Sequence, residues 1–239
     1  QKTAYEISLG LVGSEMCNKR QEYQIAEAYK SLRTNLQFCG EDKKVIAVTS
    51  CTPDEGKSSI CMQLSISLAE SEKRVLLIDA DLRKSVLMGR IKVDRQGVKG
   101  LTDFLSGQCS LKDTICATDI KNFFLICSGS FPPNPAELLG GKKFRSMVAS
   151  LREVYDYIII DTPPLGSVID SAVAAECCDG ALIVIESGAI SYRFIQEVKA
   201  QLEKSGCPIL GAVLNKVDIQ AKSYGKYGKY YGKYYGEKE

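Results

Sequence analysis

Apolar positions along the chain fall into two alternating patterns. Short runs that are apolar at nearly every residue predict strands buried on both faces. They are Val45 to Val48, Val75 to Ile78, Phe123 to Cys127, Tyr157 to Ile160, Ala181 to Glu186 and Ile209 to Leu214. Between them, Lys57 to Ser71, Pro135 towards Tyr155, Asp170 to Cys177 and Tyr192 to Lys204 predict helices. Strands alternating with helices at this spacing imply an α/β fold with a mainly parallel sheet. Upstream, from Gln21, the residues Ile25, Ala28, Tyr29, Leu32 and Leu36 recur at helical spacing and leave Glu27, Lys30 and Arg33 on a separate arc. On pattern alone, a solvated ladder of i,i+3 pairs accounts for that arc as well as a functional surface does. The stretch Arg90 to Lys121 is weakly patterned, apart from a short capped helix within Gly100 to Gly107.

The two ends of the chain lack these patterns. Residues 1–20 show no period and are expected to form an extended N-terminal arm ahead of a domain over 21–221. From Lys222 the chain reads KSYGKYGKYYGKYYGEKE, with no aliphatic residue, so a tail over 222–239 is expected to be disordered. It carries Tyr224, Tyr227, Tyr230, Tyr231, Tyr234 and Tyr235, half of the chain's 12 tyrosines, which packing does not explain. Such a segment reads either as a flexible sticky terminus or as a lysine–tyrosine strip that tracks a nucleic-acid strand.

Composition narrows the classes. A chain of 239 residues, 45% hydrophobic and 25% charged, is long enough for one well-buried α/β domain. A net charge of +2 calls for neither nucleic acid nor a membrane surface. Ten cysteines without a C-x-x-C pair, and no histidine, read as buried thiols of a reducing cytosol rather than as a zinc or disulfide framework. No apolar run approaches the ~18 to 20 residues that would span a bilayer, and no signal peptide is visible. The first residue is Gln1, which leaves upstream material open.

Candidate chemistry gathers where predicted strands end. After Val45 to Val48 the chain breaks at Thr52-Pro53-Asp54-Glu55-Gly56 and enters a helix at Lys57-Ser58-Ser59. Strand, loop and helix in this order point backbone N–H groups at one place, with a lysine for β- and γ-phosphates and a hydroxyl for Mg²⁺. The Walker A pattern fits at Gly56, Lys57 and Ser58 but meets Cys51 where its first glycine belongs. The second run delivers Asp79-Ala80-Asp81-Leu82-Arg83, which is either a common turn or a pair of carboxylates for Mg²⁺ or for a proton. Tyr157 to Ile160 delivers Asp161 as a Walker B acid would be delivered. Asn215-Lys216-Val217-Asp218 spells the N-K-x-D motif with which GTPases read guanine.

Taken together, these pieces resemble the bacterial tyrosine kinases of capsule and exopolysaccharide export, the BY-kinases. The resemblance rests on CTPDEGKSS, VLLIDADLR as the family's Walker A′ motif, YIIIDTPP, GLTDFLSG, PPNPAELL and the terminal tyrosines, and it runs from about Tyr23 onwards. Walker A and B alone also fit ParA- or MinD-like switch ATPases. The resemblance implies a P-loop NTPase-like kinase that autophosphorylates the six tail tyrosines in trans, with ATP and Mg²⁺ as cofactors. Asp54, Glu55, Gly56, Lys57, Ser58, Ser59, Arg83 and Asn215 would bind the nucleotide. Ser58, Asp79, Asp81 and Asp161 would hold the metal, and Lys57 with the three aspartates would carry catalysis. Asp79 is the preferred base. Glu27, Lys30 and Arg33 would join neighbours in a homo-oligomeric ring such as an octamer, although Lys30 stands where the family has arginine and so lacks the planar fork. Asp54 and Gln63 depart from the commoner glycine and asparagine. The resemblance further implies a cytoplasmic protein held at the inner membrane face by a membrane-embedded polysaccharide co-polymerase activator, and reversed by a tyrosine phosphatase. No nucleic-acid partner is implied.

Overall fold

A computed structural model describes residues 6–7, 19–90 and 98–217. The apolar runs become the middle of a single sheet. Its strands are β1 (Glu6–Ile7), β2 (Val45–Ser50), β3 (Val75–Asp79), β4 (Ile115–Thr118), β5 (Phe123–Ile126), β6 (Tyr157–Asp161), β7 (Gly180–Glu186) and β8 (Ile209–Asn215). They lie in the order β1-β4-β5-β3-β6-β2-β7-β8. Only β4 against β5 is antiparallel among the described pairs. Every residue of β2, β3 and β6 is buried because these strands are central and covered on both faces. At the β8 edge the same kind of sequence is left partly exposed.

The helices are α1 (Lys19–Phe38), α2 (Lys57–Glu70), α3 (Leu87–Arg90), α4 (Leu101–Leu105), α5 (Pro135–Gly140), α6 (Lys142–Arg152), α7 (Asp170–Ala175) and α8 (Tyr192–Glu203). Alternate side chains of each strand feed opposite layers. Val75 and Leu77 pack with Leu64 and Leu68 of α2, whereas Leu76 and Ile78 pack with Phe144, Met147 and Leu151 of α6. Ala181 and Ile183 join Val198 and Leu202 of α8 in a third cluster. Strands β2, β3 and β6 therefore end together at one rim, with α2 starting there.

Four details differ from the sequence expectations. The helix expected from Pro135 to Tyr155 is two helices, broken at Gly141, whose backbone is extended. The preceding Gly140 lies so close to Val173 of α7 that a Cβ there would come within 3.0 Å, so the break also seats α5 on α7. Helix α1 starts at Lys19, and only the later part of its apolar stripe, Tyr29, Leu32 and Leu36, reaches the core. Ile25 stays half exposed. The weakly patterned middle contains β4, which pairs with β5 and supplies the antiparallel step. Finally, Glu6–Ile7 of the expected arm pairs in parallel with β4 as a two-residue edge strand.

Candidate active site at the strand carboxyl ends

The loop from β2 into α2 has the backbone of an anion cradle. Asp54 and Gly56 both take positive φ, 65° and 90°, which turns successive N–H groups inward ahead of the first turn of α2. Gly56 is required twice over, because its left-handed φ disfavours a side chain and a Cβ would lie 2.2 Å from Nδ2 of Asn215. Cys51, at the place of the missing Walker glycine, has no positive φ and is fully buried. A glycine is therefore not demanded there, and burial pushes its thiol up to about 11, out of nucleophilic range.

The side chain of Glu55 faces away from the cradle and braces it. It is almost wholly buried, and its carboxylate accepts from the backbone N–H and hydroxyl of Thr52 and, at 2.8 Å, from the N–H of Glu186 at the end of β7. Asn215 completes the brace by donating Nδ2 to the Glu55 carbonyl at 2.8 Å. Lys216 turns back at φ 54° to pair with Glu186. Asn215 and Lys216 of the guanine-type motif thus hold the loop and β7, and Asp218 lies outside the described residues. Asp54 is exposed at the loop tip, and Ser59 lies half-buried in the first turn of α2.

Three carboxylates converge beside the cradle. Asp79 and Asp161 are register partners on β3 and β6, and both are buried. Asp81 follows two residues later, its N–H donating to Asp79 Oδ1 at 3.3 Å. Lys57 Nζ lies 3.2 Å from Asp81 Oδ2 and 3.8 Å from Asp161 Oδ1. Burial works against the lysine's charge, but Asp161 and Asp81 outweigh it and hold Lys57 above the ordinary lysine value. Burial and the neighbouring Asp161 push Asp79 up to about 7, against the hydrogen bond it accepts from Ser85. Burial likewise raises Asp161, opposed by Lys57 and by a hydrogen bond from Ser58.

These groups suit a magnesium nucleotide. The donors are all oxygen: the Ser58 hydroxyl and three carboxylates. Asp161 Oδ1 is buried without a hydrogen-bond partner, as an oxygen kept for a cation would be. Among the described residues no three His, Cys, Asp or Glu side chains form a protein-only metal cage. Mg²⁺ needs none, since it keeps waters and uses one or two carboxylates with substrate phosphates.

Arg83 and the α1 arc each have partners within the chain. Arg83 turns from the cradle onto Asp170 in a bidentate pair, Nε to Oδ2 2.6 Å and Nη2 to Oδ1 3.0 Å. On α1, Glu27 and Lys30 pair with each other at 2.7 Å in solvent, and Arg33 docks Nη1 on the Ser67 carbonyl of α2 at 2.6 Å. Sequence reasoning missed Asp170, which reads as a helix-start residue, and missed the bracing role of the Glu55 side chain. The six tail tyrosines lie outside the described residues.

Comparison with known proteins bears on the family and the fold. The AAA domain family matches residues 43–205. The chain is 43% identical over 211 residues to the tyrosine-protein kinase CpsD of Streptococcus agalactiae, covering 88% of this chain and 92% of that one. The kinase domain of the Escherichia coli tyrosine kinase ETK superposes with a TM-score of 0.78 at 34% identity, over 82% of this chain and 77% of that one. The septum site-determining protein MinD of Pyrococcus horikoshii, solved with Mg-ADP, superposes with a TM-score of 0.60 at 27% identity, over 72% and 69%. The α/β, P-loop NTPase-like reading therefore holds.

Proposed function

We propose, from the fact that this chain belongs to the bacterial tyrosine-protein kinases of capsule and exopolysaccharide synthesis, that it transfers the γ-phosphoryl group of ATP to the tyrosines of its own tail in trans. The observation that carries the reading is the meeting of Asp79, Asp81, Asp161 and Lys57 at the rim where the cradle opens. The backbone of 54–59 and Lys57 bind and orient the phosphates. Ser58, Asp161 and one or both Walker A′ aspartates would hold Mg²⁺, whose chemistry is to neutralise charge on the β,γ-phosphates. Asp79 takes the phenolic proton as tyrosine oxygen bonds to Pγ and the Pγ–O bond to ADP breaks. A carboxyl near neutrality suits that exchange. Positioning and charge neutralisation are what phosphoryl transfer asks of a protein.

Asn215 acts on the nucleotide through the loop it holds, Arg83 acts on the transferred phosphate by setting Asp79 and Asp81, and an adenine lies near the β8 end. Tyr224, Tyr227, Tyr230, Tyr231, Tyr234 and Tyr235 are the acceptors. Glu27, Lys30 and Arg33 face a neighbouring copy in a homo-oligomeric ring, and a membrane-embedded polysaccharide co-polymerase holds the kinase at the inner membrane face and activates it. A tyrosine phosphatase resets the tail. The tail's five lysines and two glutamates give +3, which draws it to an acidic site, and each phosphotyrosine adds about −1.5 to −2 and reverses that attraction.

The likeness to MinD supports one second reading, a switch ATPase that releases phosphate and moves a partner. Incubating the full chain with γ-labelled ATP or GTP separates the two. Label on tyrosine from ATP is expected. Label released only as free phosphate favours the switch, and tighter binding of GTP than ATP would overturn the ATP assignment.

A further inference from the structure

Asp79 and Asp161 stand side by side, and Asp81 follows within reach of the same lysine. Three carboxylates this close, only two of them paired with Lys57, repel one another, so something must hold the segments that carry them. The Ala80 N–H donates to the Asp161 carbonyl at 2.8 Å, and beyond that bond segment 79–85 is stitched mainly to itself. Asp81 N–H and the Ser85 hydroxyl donate to Asp79, and Lys84 N–H donates to Asp81 Oδ1 at 2.9 Å. The segment after Asp161 is fastened elsewhere. Thr162 donates its N–H and hydroxyl to Val48, and the hydroxyls of Thr49 and Ser171 donate to the Pro163 carbonyl. The two segments are joined beyond their carboxylates by the Arg83–Asp170 pair. The Asp170 side chain is 1% exposed and opens α7, whose N-terminus favours its charge, whereas Arg83 is 40% exposed. A bidentate fork fixes direction as well as distance.

We infer that Asp170 is a positioning residue for phosphoryl transfer, acting through Arg83 as a clasp that sets Asp79 and Asp81 against Asp161. This rests on the kinase reading above only for the identity of the acceptor. A misplacement of about 1 Å in such a constellation costs roughly 10²-fold in rate, with little change in nucleotide binding because the cradle is braced separately by Glu55 and Asn215.

The test uses the full chain and the variants Asp170→Asn, Arg83→Gln and their double. Tyrosine labelling is measured against Mg·ATP concentration, with thermal melting alongside. Each single variant is expected to lower kcat about 10- to 100-fold and to leave KM for ATP within about threefold. The double is expected to be no worse than the worse single. Arg83→Lys, which keeps charge but not the fork, should fall between parent and Arg83→Gln, and it carries the test if another variant fails to fold. A kcat within twofold of the parent in the folded variants overturns the clasp. So do a rise in KM that accounts for the whole loss, or single effects that multiply in the double. If the parent releases phosphate without labelling tyrosine, the kinase reading fails, and the same kcat comparison on phosphate release still decides the clasp.

Discussion

The two ends of the sheet treat carboxylates in opposite ways. At the amino ends of the strands, Asp179 accepts from the backbone N–H groups of Lys44 and Val45 at 2.9 and 2.8 Å and pairs with Arg152. Asp156 there accepts from Arg74 N–H at 2.7 Å, and the Arg74 guanidinium lies between the Phe124 and Tyr155 rings. These charges are matched and hold structure. At the carboxyl ends, Asp81 and Asp161 share one lysine, Asp161 Oδ1 has no hydrogen bond, and Asp79 beside them is pushed up to about 7. Charge left uncompensated in a buried place destabilises a fold, so its presence on one rim alone marks the rim where a cation and a nucleotide belong.

The sharpest break in that contrast is Lys57→Met. It removes the cation that faces both the carboxylates and the phosphates, so tyrosine labelling should fall by at least about 10³-fold and Mg·ATP binding should be lost. Calorimetric titration with Mg·ATP, beside a labelling assay, checks both. Retained labelling would remove the cradle from the mechanism.

Substitutions of matched and unmatched aspartates should next move stability in opposite directions. Asp179→Asn deletes charge from a satisfied carboxylate and should cost about 1–3 kcal/mol. Asp79→Asn should abolish labelling yet raise stability by about 2 kcal/mol above neutral pH, because a buried, crowded charge is gone. The sign follows from linkage. With its pKa raised to about 7, folded Asp79 holds a proton that the unfolded chain gives up near pH 4. Its favourable contribution is thus complete below that pH and is lost as pH rises through about 7. Urea melts of parent and Asp79→Asn between pH 4 and 8 should diverge over that window, and parallel curves would contradict the assignment. Catalysis runs the other way, since an ionised base is needed, so labelling by the parent should rise as pH rises.

Most of the fold and much of this rim were legible in the sequence because both follow from short local signals. Continuous apolar runs specify central strands, and a strand ending in Asp79 or Asp161 places that carboxylate at the rim whatever the connections. What escaped was set by partners distant along the chain. Nothing near Glu55 announces the Glu186 N–H that turns its side chain from nucleotide to brace. Arg83 and Asp170 are 87 residues apart. Strand β4 is short and only partly buried, so its pattern is faint until β5 pairs with it. The helix break at Gly141 had a signal, since a glycine pair disfavours a helix interior, but the apolar pattern runs on past it to Leu151 and obscures the stop.

The smallest expected effect on folding, and the cleanest on assembly, comes from α1. Glu27 and Lys30 form an exposed i,i+3 pair, a geometry that contributes about 0.2–0.5 kcal/mol. Arg33 is different, because its guanidinium docks on the Ser67 carbonyl of α2, so Arg33→Ala disturbs the packing of α1 as well as any contact between copies. Glu27→Ala therefore isolates the surface role. Its melting temperature should move by no more than a few degrees and its affinity for Mg·ATP should stay within about twofold of the parent. If the arc faces a second copy, the sedimentation mass of Glu27→Ala should drop to that of one chain, and tail labelling, which requires a neighbour, should fall with it and become steeply dependent on protein concentration. An unchanged mass would leave the Glu27–Lys30 pair as a solvated ladder.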